Sequence, residues 1–234
     1  MKYINNFSVW VNESVSSNEA DKIVYGNQPK DLQKFADDKN DPIKNWFIEK
    51  GFVDTIVKET PLNSGSQTRK DLDTIVEKMS KATPEDLAFA RYIDDEANIS
   101  KAFIDLLGKY GHKVFEEEHL FVETQSDAIL FYLKDVINRP RPYQLAYYYK
   151  IDLYPLIRTN AMTASYPSGH ALAGIMMSEH YAKLYPDASV ELKELGNKIA
   201  NSRELTGIHY PSDTEISRKI SKIIIDNNLL QIKK

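Results

Sequence analysis

Apolar side chains recur along most of the chain at the interval of one buried helical face. Leu72, Ile75, Val76 and Met79 stand at i, i+3, i+4 and i+7, the spacing that brings residues of successive α-helical turns onto one side. The same interval links Phe103, Leu106, Leu107 and Tyr110, and again Ile129, Tyr132, Leu133 and Val136. Later stripes run through Leu172, Ile175 and Met176, then Leu192, Leu195 and Ile199, then Ile216, Ile220, Ile223 and Ile224. TPEDLAFARYI adds a helix start, with Thr83 as N-cap, Pro84 at the first helical position and acids in the first turn. Only FSVWV, residues 7–11, alternates like a strand. The pattern predicts an all-α protein, a packed helical bundle.

Patterning is weaker before residue 66. Asp41 and Pro42 open a short helix around Trp46, among polar runs. We expect residues 1–65 to form an N-terminal extension, helical or irregular, packed on a single all-α domain of residues 66–234. No internal repeat or low-complexity linker divides that domain.

Composition narrows the function classes. The 234 residues are 42% hydrophobic and 27% charged, with a net charge of −4. That balance suits a globular chain and offers no global attraction to nucleic acid, so an anion site needs a local cluster of cations. The absence of cysteine excludes disulfides, thiolate nucleophiles and cysteine-ligated metals. MKYINNFSVWVNESVSS has no apolar core of a secretory leader. The longest uncharged stretch, residues 159–178, is broken by Pro167, Gly169 and His170, which makes a poor membrane span. These features predict a cytoplasmic protein with no integral membrane segment, and they leave a homo-oligomer open.

Three short blocks carry the candidate chemistry. In KDVINRPRP, Lys134 sits late on an apolar-periodic helix and Arg141-Pro142 follows after six residues. Proline disfavours helix in its predecessor, so this helix is expected to end near Asn138. Alone, the block reads far more readily as a solvated helix end than as an anion site. YPSGHALAG places Ser168, Gly169 and His170 where a helix begins. Gly169 lets backbone approach an anion without a Cβ, and helix-start N–H groups favour negative charge. SRELTGIHYPSD spaces Arg203, His209 and Asp213. A carboxylate four residues on can accept the Nδ1–H of a histidine and orient its ring, although a solvated pair has the same spacing. Finding K-x6-R-P, P-S-G-H and S-R-x5-H-x3-D in order has a background chance on the order of 10⁻⁸.

Together the blocks resemble the signature of the type 2 phosphatidic acid phosphatase superfamily, which includes class A bacterial acid phosphatases, lipid phosphatases and vanadium-dependent haloperoxidases. The resemblance spans residues 134–213 and implies an all-α helical bundle of the acid phosphatase/vanadium haloperoxidase type. It implies a metal-independent phosphatase acting on phosphomonoesters or diphosphates, with a small phosphorylated substrate. His209 would be the nucleophile that forms a phosphohistidine, Asp213 its orienting carboxylate and His170 the general acid. Lys134, Arg141, Ser168, Gly169 and Arg203 would bind the phosphate. No metal and no cofactor are implied, and vanadate is expected as an inhibitor. In the alternative reading of a haloperoxidase, vanadate would be the prosthetic group; a third reading is a non-catalytic phosphate-binding protein. A neutral nucleophile working beside a protonated acid implies an acidic to neutral optimum.

Three other features have plainer readings. FEEEHLF puts Glu116, Glu117, Glu118 and His119 in sequence, read as a solvated acidic face. The tyrosine-rich segment 143–154 is expected to pack as a loop against the bundle. The polar Thr214, Glu215 and Ser217 predict a last helix with part of its surface exposed.

Overall fold

The computed structural model describes residues 17–159 and 161–231, and among these every regular element is helical. FSVWV lies outside the described residues. Four helices come first: α1 (Ser17–Ala20), α2 (Lys30–Ala36), α3 (Pro42–Glu49) and α4 (Phe52–Glu59). α5 (Ser66–Lys81), α6 (Pro84–Tyr92), α7 (Ala97–Lys109), α8 (Glu116–Thr124) and α9 (Asp127–Ile137) follow. The short α10 (Pro142–Leu145) leads into a 3₁₀ turn and a long irregular stretch, after which α11 (Gly169–Leu184), α12 (Ser189–Leu205) and α13 (Pro211–Asp226) are the last helices among the described residues.

α11 is the central helix, packed on α12 and α13. Its residues from His170 to Ser178 are all buried. A helix that is apolar around its whole circumference belongs in the middle of a bundle. Small residues set how close its neighbour comes: a Cβ on Gly196 of α12 would lie 2.7 Å from the carbonyl oxygen of Gly174.

α13 departs from the expectation of partial exposure. Glu215 is exposed, but Thr214, Ser217 and Ser221 are buried. The Ser217 hydroxyl contacts the carbonyls of Asp213 (2.8 Å) and Ser168 (2.9 Å), and that of Ser221 those of Ser217 (2.9 Å) and Leu172 (3.2 Å). Small hydroxyls that satisfy themselves on backbone allow a polar-looking helix to seat against α11.

The described part of the first 65 residues shares a core with the later helices. Ile43, Phe47, Val53 and Ile56 cluster with Ile129, Leu133, Leu172 and Ile220. Local stop and start signals act where the chain suggests. Thr83 and Asp86 form a reciprocal cap at α6. α9 ends at Ile137 because Asn138 takes a left-handed conformation, φ 48°. Val76 and Val136, at the edges of their stripes, are 41% and 48% exposed, so the buried faces are narrower than the sequence pattern.

Candidate active site

The three blocks converge. A cavity of about 350 Å³ is lined by Lys134 from α9, Arg141 at the start of α10, Gly169 and His170 at the start of α11, Arg203 near the end of α12, and His209 just before α13. Ser168 and Asp213 stand one layer behind it. The Ser168 hydroxyl accepts from the Ala171 N–H at 3.4 Å and caps α11, whose first residues Gly169 and His170 line the cavity.

His209 is held in one tautomer. Its Nδ1 is 3.1 Å from Asp213 Oδ2, and its Nε2 is 2.7 Å from Arg141 Nη1. A guanidinium only donates, so Nε2 accepts and the ring proton sits on Nδ1, donated to Asp213. Burial pushes the His209 pKa well below its usual value, and Arg141, Lys134 and Arg203 push it the same way. The ring is neutral, with its Nε2 lone pair accepting from Arg141.

His170 has a different setting. It is 8% exposed, and its Nε2 lies 2.8 Å from the Ile93 carbonyl oxygen. Burial lowers its pKa, Arg203 lowers it further, and the Ile93 carbonyl and Asp94 oppose them.

The cations are all buried. Lys134 Nζ donates to the Ala164 carbonyl, and burial holds its pKa well below the usual lysine value. Arg141 Nε donates to the Thr163 carbonyl at 2.9 Å and Nη1 to that of Ile208 at 3.2 Å; burial lowers its pKa to about 10. Arg203 Nη2 binds Asp94 Oδ1 at 2.8 Å, whereas its Nε and Nη1 are buried with no hydrogen-bond partner. Two orphaned guanidinium donors on a residue that lines a cavity together with Lys134 and Arg141 fit an oxyanion.

Other parts of the site were not legible from spacing. Asp94, which fixes Arg203, lies in an acidic run with no distinguishing pattern. Ser165, whose hydroxyl donates to Asp213, and Arg139, whose Nη1 donates to Asp213 Oδ1 at 2.7 Å, lay within or beside the blocks without standing out. None of the tyrosines of residues 143–154 lines the cavity: Tyr143, Tyr148 and Tyr149 pack against Leu72, Ile75 and Leu145, and Tyr147 and Tyr154 are exposed. His119 is fully buried against Tyr181, with ring centroids 4.6 Å apart, rather than part of a solvated face.

The fold is shared with a solved PAP2 type phosphatase. The chain superposes on the crystal structure of the first transmembrane PAP2 type phosphatidylglycerolphosphate phosphatase from Bacillus subtilis with a TM-score of 0.52. The match covers 82% of this chain and 98% of that one, at 15% identity. No protein-family model matches the sequence, and no curated protein does. The transmembrane neighbour overturns the expectation of a cytoplasmic location. That expectation rested on missing apolar segments, but the same helical scaffold carries a transmembrane enzyme, so the fold does not assign a compartment. Among the described residues, no helix is long and apolar enough to cross a membrane.

Proposed function

We propose that the protein is a phosphatase that hydrolyses small phosphomonoesters, or diphosphates, through a phosphohistidine. The observation that carries the reading is the His209 ring, locked with its proton toward Asp213 and its Nε2 toward Arg141, in the wall of a cavity also lined by Lys134 and Arg203. Phosphoryl transfer needs positioning and positive charge more than covalent assistance, and Lys134, Arg141 and Arg203 supply that charge without a metal. The Gly169 N–H and the start of α11 add donors, and Ser168 contributes through the helix start that it caps.

In the first step, a bound phosphoryl group draws Arg141 away from His209. Nε2 attacks phosphorus, the bond to the leaving oxygen breaks, and His170 donates a proton to that oxygen. In the second step, His170 takes a proton from water, the oxygen attacks phosphorus, and the P–N bond breaks. Inorganic phosphate leaves and His209 is neutral again. An adjoining cavity of about 200 Å³, with His170 in the wall common to both, gives the alcohol a place on the acid's side.

The test is turnover of a chromogenic phosphate ester in the presence of chelator, with vanadate as inhibitor. Rapid quenching should trap an acid-labile, base-stable phosphate on the protein that His209→Ala abolishes. Undiminished turnover by His209→Ala would reject the mechanism. Bromide oxidation by vanadate-loaded protein, with no ester hydrolysis, would reject the assigned reaction.

A further inference from the structure

We propose that Arg139 is the positioning residue that keeps Asp213 ionised and so determines which nitrogen of His209 carries the proton. The proposal rests on the phosphohistidine reading and concerns a residue outside the eight that spacing singled out.

Arg139 follows the left-handed Asn138 and is 2% exposed. Its Nη1 donates to Asp213 Oδ1 and to the Ser212 hydroxyl, both at 2.7 Å. Its Nη2 reaches Thr68 Oγ1 at 3.2 Å and lies 3.7 Å from Asp71 Oδ2. The guanidinium carbon sits 3.9 Å from the centroid of the Tyr210 ring and 5.7 Å from that of Tyr166. Asp71 is itself held by Gln67 Nε2 at 2.9 Å and by the Ser212 hydroxyl. The result is a buried chain of alternating charge, Asp71, Arg139, Asp213, running from α5 to α13.

The oxygens of Asp213 divide the work. Oδ1 receives Arg139, while Oδ2 receives His209 Nδ1, the Tyr210 N–H at 3.0 Å and the Ser165 hydroxyl. Burial raises the Asp213 pKa; Arg139 is the largest opposing influence, followed by Ser165, Tyr210 and Arg141. Arg141 cannot be relied on during catalysis, because the phosphate competes for it. Without Arg139, the carboxyl would take up a proton. A neutral acid could then donate to Nδ1, which would move the ring proton to Nε2 and remove the attacking lone pair.

The experiment compares pH profiles of kcat and KM for wild type, Arg139→Gln, Arg139→Lys and Asp71→Asn, with thermal melts and quench labelling alongside. Arg139→Gln should lose about 100-fold in kcat with KM little changed. Its acid limb should move up by about one pH unit, so activity partly recovers as pH rises. Arg139→Lys should hold the limb near its wild-type position. Asp71→Asn, which removes a negative charge from the chain, should move the limb down. A folded Arg139→Gln with the wild-type acid limb would overturn the assignment. If Arg139→Gln does not fold, an upward limb in Asp71→Asn, or in Arg139→Lys as far as loss of the charge would give, overturns it equally. Wild-type protein that turns over but never labels His209 defeats the phosphohistidine reading itself, which separates the two failures.

Discussion

Under the proposed mechanism, the hydrogen bond from Arg141 to His209 is what separates a resting nucleophile from a reacting one. The arginine covers the lone pair; a bound dianion would take the arginine's donors and uncover it. The same anion acts on His170. Burial and Arg203 depress its pKa in the free protein, and the two negative charges of a phosphate would reverse part of that depression. Activity falls as pH rises through the pKa of a general acid. The alkaline limb of kcat, which reports the complex, should therefore lie at higher pH than that of kcat/KM, which reports the free protein. Steady-state profiles between pH 4 and 9 test this, and coincident limbs would contradict it. Arg203→Lys should weaken inhibition by phosphate about tenfold or more, because a compact ammonium lacks the planar fork that spans the anion with two donors while another holds Asp94. Inhibition constants at fixed ionic strength measure that change.

At the scale of elements, the crossing of α11 and α12 sets where His170 and Arg203 meet. Gly196→Ala would force a methyl against the Gly174 carbonyl and the Ser178 side chain. It should destabilise by about 3 kcal/mol, or splay the two helices with loss of turnover, as seen in chemical denaturation and kinetics. α8 stores a different kind of cost. The Glu123 carboxyl accepts from the Ser100 hydroxyl, yet burial raises its pKa to about 7. A carboxyl whose folded pKa exceeds its unfolded pKa is without penalty below the unfolded value and increasingly costly as pH rises through about 7. Glu123→Gln should raise the melting temperature at pH 8 by about 3–6 °C and have little effect at pH 4. The elements were largely legible in the sequence, since proline, asparagine and cap signals act locally: α6 starts at Pro84, α9 stops before Asn138, and α13 starts at Pro211. The burial of α13 was not legible. Its serines bond to backbone of their own helix and of the chain at and near the start of α11, and a one-dimensional polarity pattern cannot distinguish such hydroxyls from solvated ones.

For the molecule as a whole, the sequence revealed the fold class and six residues that line one cavity, because the three blocks in order are improbable together, chiefly through the second and third, and must meet to have any common purpose. It did not reveal how they are held. Asp94, Ser165 and Arg139 act through contacts spanning 48 to 109 positions, and such pairings leave no periodic trace. Location was misread for a related reason: a bundle's interior, which the motifs describe, does not report what its exterior faces. The two orphaned donors of Arg203 have a further consequence. A pit of cations with unmet hydrogen bonds is a built-in deficit that an anion makes good. An oxyanion at a hundred times its dissociation constant adds about 2.7 kcal/mol to stability, or roughly 5–10 °C for a chain of this size. Differential scanning with phosphate, tungstate or vanadate should show that rise, and chloride at equal ionic strength should not. Protein prepared free of such anions would then be the most fragile form of the molecule, and its shelf life would depend on what the buffer contains.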